Sequence, residues 1–332
     1  MVQPTRPPAN GFVAAARKVY NPLGFAKGYN FVLFFIFFGA FMGFTLARFE
    51  YLNFSIFCGP GGAAPGECFY YQKRIEQIGI KMHLGAILPA SFLACFQFVP
   101  VIRHKVLLFH RINGYLIILL SLVSTAGIFM FLRNAFGGGI ETQTGIGLLS
   151  IMFIGSMMLA FINIKKLQIE QHRAWMLRAW FYAGSIITIR LIQITAATII
   201  SNMGTYYVSR PCDQVAFMGR IRFSKQSSTP TCPAQHRAGA ATGMVFGMAV
   251  WLALAIHAIG IEIYLHLTPA EAERLRNVSY KRQLEAGLHP AGRAGITADR
   301  IGDSEKWQPG DRPGQVPHKP SQDDSISQLA SH

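Results

Sequence analysis

The sequence predicts an all-α, polytopic integral membrane protein: a helical bundle of six transmembrane helices with a four-helix, histidine-bearing core. Three observations predict it. The 332 residues are 51% hydrophobic and only 14% charged, against roughly 25% charged in a soluble domain. Six apolar runs, about 29–49, 78–100, 108–132, 145–164, 175–200 and 241–267, each approach the roughly 20 residues needed to cross the hydrocarbon core. The charges are also segregated. Residues 268–332 hold 9 Lys/Arg and 9 Asp/Glu, whereas residues 1–267 hold 22 and 7 and so carry the whole +15. The basic residues flank the apolar runs and do not share one soluble face. The expected partner is therefore a lipid bilayer, not nucleic acid. No Rossmann or P-loop glycine pattern follows a strand-like run, so those nucleotide-binding classes are not indicated.

Residues 1–28 are Pro-rich with scattered basic groups and have no small-residue cleavage site after an apolar core. The first span reads as a retained anchor, not a signal peptide, and its Phe-rich surface should face lipid, except that Gly39 and Gly43 could contact a neighbour. Domain boundaries follow: a cytosolic segment 1–28, a six-helix domain 29–267, a cytosolic capped helix 268–287 and a disordered tail 288–332. Thr268 suits the N-cap, Pro269 the first turn and Glu271 a capping box. Gly287 should stop that helix.

Orientation follows from Lys/Arg in the flanks. With the N-terminus cytosolic, inner segments hold 20 basic residues and outer ones 10, with Arg190 inside the membrane. Both termini are then cytosolic, in the secretory pathway or the plasma membrane. Four of five cysteines fall in loops this topology places outside: Cys58 and Cys68 in one, Cys212 and Cys232 in the other. Disulfides persist in oxidising compartments, and of three possible pairings two loop-internal bridges are favoured. Cys95 reads as a small core residue.

Ionisable and polar side chains in membrane helices are costly, so each marks a candidate site. At about 100° per residue, His83, Ala86, Ala90, Ala94 and Gln97 share one stripe of the second span. His110, Asn113, Ser121, Ser124 and Thr125 share a face of the third, and Ser156 and Asn163 align on the fourth. On the fifth, His172, Trp175, Ala179, Ala183, Arg190, Gln193 and Ala197 align. On the sixth, His257 lines up with Gly243 and Phe246. The plainer reading is ordinary interhelical packing, with small residues allowing close approach; Gly239, Gly243 and Gly247 have that form. Where the stripes carry His83, Gln97, Arg190 and Gln193, a ligand or substrate cavity is the sharper reading.

Arg190 lies too deep to reach water easily, and no Asp or Glu occurs at comparable depth in any span. It should line a water-filled cavity, meet an anionic ligand (a carboxylate, phosphate or haem propionate), or bond exposed carbonyls and hydroxyls of its neighbours. His110, His172 and His257 lie toward the inner side with Gln97. They could hold a metal, or two could ligate a haem b iron axially; interfacial histidines bonding head groups are the plainer alternative. There is no C-x-x-C-H, H-E-x-x-H or Cys/His zinc spacing. A weak internal repeat pairs Phe96-Gln97-Phe98 leading to His110-Arg111 with Phe161-Ile162-Asn163 leading to His172-Arg173.

These residues resemble a family of fungal and bacterial multipass membrane proteins known as domain of unknown function 2306, over about residues 78–200. The likeness rests on His83 ahead of Phe96-Gln97-Phe98, on His110-Arg111-x-x-Gly114-Tyr115, and on His172-Arg173-x-Trp175-Met176-x-Arg178 with Arg190 twelve residues on. The resemblance implies no activity. Two functional classes remain open. One is a membrane redox protein, with haem held by His110, His172 or His257 and propionates met by Arg190. The other is a cofactor-free or metal-assisted enzyme acting on a lipid-soluble substrate, with His83 or His172 as acid/base and Arg190 as anion anchor. A non-enzymatic role, binding a hydrophobic or anionic small molecule or purely structural, is the further alternative.

Overall fold

The structure is a computed structural model that describes residues 7–64, 66–203, 205–206, 212–214, 216–217 and 237–309. All regular structure among these residues is helical. A short helix α1 (Gly11–Tyr20) precedes the first apolar helix α2 (Gly28–Leu46), and a single turn α3 (Phe54–Phe57) lies in the loop that follows. Helices α4 (Arg74–Gln97) and α6 (Leu107–Phe131) are joined through α5 (Pro100–Lys105). Then come α7 (Ile140–Lys165), α8 (Ile169–Met203), α9 (Arg237–His266) and the polar α10 (Pro269–Glu285). Six helices, α2, α4, α6, α7, α8 and α9, are long and apolar enough to cross a membrane, the same six that the apolar runs predicted. The chain forms two compact units, Met1–Ile154 with Tyr182–His257, and Gly155–Phe181 with Ala258–His332.

In the first unit α4 and α6 form an intimate hairpin. Its closeness comes from Gly79 and Gly127: a Cβ on Gly79 would lie 2.6 Å from Met130 Cβ, and one on Gly127 would lie 2.6 Å from the Gly79 carbonyl. The predicted stripes are the buried faces. Ala86, Ala90 and Ala94 are buried on α4, and Asn113, Ser121, Ser124 and Thr125 on α6. By contrast α2 has almost no buried side chain apart from Thr45. Nothing lies within 4 Å of a Cβ at Gly39 or Gly43, so among the described residues no helix packs closely against that pair. Cys95 is buried in the core, as expected of a small apolar residue.

At the end of this unit opposite the α4–α6 turn, Phe57, Cys68, Tyr71, Ile80, Phe131 and Ala135 form an apolar cluster. It joins the α2–α4 loop to the ends of α4 and α6, and Cys58 and Cys68 are disulfide-bonded within it. The expected Cys212–Cys232 bridge lies outside the described residues, because Cys232 is not among them.

The second unit is built around two helix ends. After α7, Leu167 takes a left-handed conformation (φ 55), and the Gln168 N–H returns to the Asn163 carbonyl. After α10, Gly287 (φ 68) does the same and the Leu288 N–H bonds the Gln283 carbonyl. Both are Schellman closures, and the second confirms Gly287 as the helix stop. They turn Gln168 and Gln283 inward. Gln283 Nε2 donates to Gln168 Oε1 at 2.9 Å, Gln168 Nε2 donates to Glu170 Oε1, and the Ser279 hydroxyl donates to Glu170 Oε2.

Two expectations change here. Thr268 precedes α10, but its hydroxyl donates back to the Tyr264 carbonyl. Glu271 pairs with Arg274, so the capping box does not form. Residues 288–309, expected to belong to a disordered tail, are instead woven into the network. The Gly295 N–H donates to Gln168 Oε1 and the Ile296 N–H to Asn163 Oδ1. Arg276 holds Asp299 at 2.6 Å, and Trp307 Nε1 donates to Glu273. Gly, Pro and Asp enrichment read as disorder because backbone donors at Gly292 and Gly295 gave no sign of their buried amide partners.

Candidate functional site

Arg190 stands on α8, 13 residues before Met203, about 20 Å along the axis from the helix end. Its guanidinium carbon lies 4.9 Å over the ring of Phe136 and 5.7 Å from that of Phe246. The two rings stack at 3.6 Å between centroids. Cation–π contact of this kind suits a guanidinium away from water. Phe136 has φ 50, a region that costs an L residue about 1–2 kcal/mol, so the chain accepts strain where this ring stacks. Arg190 Nη1 donates to Gln193 Oε1 at 2.9 Å, and Gln193 Nε2 donates to the Thr242 carbonyl.

The loop carrying the disulfide supplies a buried carboxyl, that of Glu67. Glu67 begins a 3₁₀ turn, Glu67–Gln72, and is 7% exposed. Its Oε1 accepts a 2.7 Å hydrogen bond from the Tyr71 hydroxyl. Burial raises the Glu67 carboxyl above its ordinary range, against the pull of Tyr71 and of the Arg190 charge. Burial and the neighbouring Glu67 also raise Tyr71 well above the usual phenol value, so its hydroxyl remains a donor. The loop is anchored from a second segment: Tyr70 donates to Gln214 Oε1, and Gln214 Nε2 donates to the Gly66 carbonyl.

His83 borders the same end. Its Nδ1 lies 2.8 Å from Ser124 Oγ, and its ring meets Phe131 edge-on at 5.8 Å. Phe131 also touches Tyr71 at 5.9 Å, so one phenyl ring separates the imidazole from the phenol. Arg190, Gln193, Glu67, Tyr71, His83 and Ser124 thus belong to one unit. Together they bring a guanidinium, an imidazole and a hydrogen-bonded carboxyl into that unit.

The remaining predicted residues fall elsewhere. Gln97 Nε2 donates to the His110 carbonyl at 3.1 Å, clasping the α4–α6 hairpin. His257 Nε2 lies 2.9 Å from Thr188 Oγ1. His172 Nδ1 lies 3.0 Å from the Ala160 carbonyl in the second unit, where Arg173 meets the Tyr264 hydroxyl and Arg178 forms a two-point ion pair with Glu262. Among the described residues no three His, Cys, Asp or Glu side chains come together as a metal site. Of the three inner histidines, His110 offers its backbone carbonyl to Gln97, His257 meets Thr188 and His172 meets the Ala160 carbonyl. The internal repeat is one of position and not of bonding, since Gln97 clasps its own hairpin while Asn163 receives the 288–309 segment.

Glu67, Tyr71 and Phe136 were missed by the sequence reading. The cost of burying a charge marks acids within the apolar spans, whereas Glu67 lies in a loop. The one available signal was its place beside Cys68, inside a disulfide loop that must fold tightly.

The fold defines a multipass helical membrane protein with buried polar side chains toward its disulfide-bearing end. Residues 80–209 match the family model described as Predicted membrane protein (DUF2306), in agreement with the likeness read over 78–200. The match takes in His83, Ser124, Phe136, Arg190 and Gln193, and Glu67 and Phe246 lie outside it. No curated protein and no solved structure matches the chain.

Proposed function

We propose that the protein binds a lipid-soluble molecule bearing an anionic group at Arg190 and performs proton-transfer chemistry on it, the disulfide-bearing end facing the non-cytosolic side. The observation that carries this reading is the Arg190 cradle. Of the five N–H donors a guanidinium possesses, one is engaged among the described residues, by Gln193. Two stacked phenyl rings hold the group in place. A carboxylate or phosphate accepts such a fork in two-point fashion. His83 is oriented through Nδ1 by Ser124, which leaves Nε2 as the atom that takes or gives a proton. The disulfide and the distribution of basic residues support the orientation.

The test compares wild-type, Arg190→Gln and His83→Asn proteins purified in mild detergent, all monodisperse, by mass spectrometry of extracted small molecules. Wild type should carry an anionic lipophile, Arg190→Gln should lose it, and His83→Asn should retain an unprocessed form. An identical extract from wild type and Arg190→Gln would sink the reading.

A second reading, b-type haem binding with a redox role, keeps one supporting observation. His172 is anchored through Nδ1 to a backbone carbonyl, the second contact that orients an imidazole to ligate iron through Nε2. His257, held through Nε2, is poorly suited to that role. Visible spectra before and after dithionite decide it. A Soret band with reduction-sensitive α and β bands that disappears in His172→Ala supports haem, and a featureless spectrum removes it.

A further inference from the structure

Helix α1 has two faces with different fates. Tyr20 is buried, stacking on Phe31 at 5.7 Å, and so ties the helix to the start of α2. At about 100° per residue, Phe12, Ala15, Ala16 and Val19 form another stripe roughly a quarter-turn away. Phe12 is 82% exposed and Val19 59%. Asn10 caps the helix by accepting from the Val13 N–H, so α1 is a formed helix presenting an apolar stripe beside a membrane span.

The turn after α1 is fastened to the α4–α6 connection. The Val101 N–H donates to the Leu23 carbonyl at 3.1 Å, and a Cβ on Gly24 would lie 2.9 Å from Pro100 Cβ. That contact brings two basic stretches to one end of the unit: Arg17, Lys18 and Lys27, and Arg103, Lys105 and Arg111. No Asp or Glu occurs in residues 7–28 or 98–111. Immediately after Lys105, Val106, Leu107, Leu108 and Phe109 are all exposed. A belt of apolar side chains beneath a rim of cations matches the upper acyl region and phosphate layer of a leaflet.

We propose that α1 and the α5 turn form an in-plane ledge that binds anionic phospholipid head groups at the leaflet where α2 begins, with the Phe12–Val19 stripe sunk among the acyl chains. The occupant is lipid because α1 is tied through Tyr20 and Phe31 to an apolar span, α2, whose Val32, Phe35 and Ile36 are also exposed. Anionic head groups are selected because Lys18, Lys27, Lys105 and Arg111 stand in stretches that contain no acid.

The test uses the full-length protein in vesicles of phosphatidylcholine with phosphatidylserine. In Phe12→Trp, the added indole is read as a difference from wild type. Lipids brominated near the top of the acyl chains should quench it, and aqueous iodide should not. Brominated phosphatidylserine should quench better than an equal fraction of brominated phosphatidylcholine. Adding Lys18→Gln and Lys105→Gln should lower that preference about two- to fivefold per charge at low salt. Quenching by iodide places the helix in water and overturns the proposal. Protection from both quenchers overturns it in favour of a second copy or another protein. Equal quenching by the two lipids overturns the head-group assignment.

Discussion

Glu67 and Tyr71 lie one turn apart in the disulfide loop, and the carboxyl oxygen accepts a 2.7 Å hydrogen bond from a phenol that is 1% exposed. Arg190 acts on both groups electrostatically without forming a direct ion pair with either. A carboxyl that feels the Arg190 charge thus comes from a loop. The loop must be folded for that to hold, so the site and the extramembrane structure are one unit.

The first prediction concerns pH. Burial raises the folded Glu67 carboxyl above its unfolded value, outweighing the opposing pull of Tyr71 and Arg190. The folded state thus binds this proton more tightly, and stability should fall as pH rises from the ordinary carboxyl range to the folded pKa. Glu67→Gln mimics the protonated form and should remove that fall. Thermal unfolding in detergent should give a higher melting temperature than wild type at neutral pH and a similar one at acid pH. A variant less stable than wild type at neutral pH would refute this ordering of effects.

The second prediction concerns the Cys58–Cys68 bridge, which closes a short loop with a sequence separation of 10. Cys58→Ser with Cys68→Ser should cost about 2–3 kcal/mol. It should also free Glu67, the residue next to Cys68. In the bridge-free protein the Glu67→Gln substitution should therefore lose most of its effect on the pH profile. An undiminished effect would mean the apolar cluster alone holds the loop.

Helix approach gives a third expectation. A side chain at Gly127 meets the α4 backbone, with the His83 N–H only 2.8 Å from a Cβ. Gly127→Leu should destabilise by at least about 3 kcal/mol, the upper part of the range for overpacking. It should also disturb the His83–Ser124 contact three residues away. Gly85→Leu, where nothing lies within 4 Å, is the control and should be tolerated. Equal melting temperatures for the two variants would contradict the packing described.

The fourth prediction addresses residues 288–309. Burial works against the charge on Asp299. The Trp307 N–H, Arg276 and Thr297 outweigh it and hold the carboxyl below its usual value. Its stabilisation should be present above the ordinary aspartate range and disappear as pH drops through the depressed value. Asp299→Asn should cost about 2 kcal/mol and speed tryptic cleavage at Arg293 and Arg300 at neutral pH. Hydrogen exchange of the segment should show wild type approaching the variant in acid. Unchanged cleavage would mean that the Gln168–Gln283 network secures the segment without Asp299.

How much was legible follows from which forces act locally. Six spans, their buried stripes, the Cys58–Cys68 bridge and the Gly287 stop could all be read directly, because hydrophobic periodicity, loop-length pairing and helix-end chemistry depend on near neighbours in the chain. His83, Arg190 and Gln193 were singled out for the same reason: polar groups on apolar helices stand out by cost. The partners were not legible. Glu67 reaches the neighbourhood of Arg190 across more than a hundred residues, Phe136 becomes its platform through a strained turn, and Gln168 is completed by Gly292 and Gly295. The amino-acid order therefore determined which segments enter the membrane and which faces turn inward. Only the tertiary structure decided which polar groups meet, because a buried charge is satisfied by whatever the folded chain carries to it from any distance.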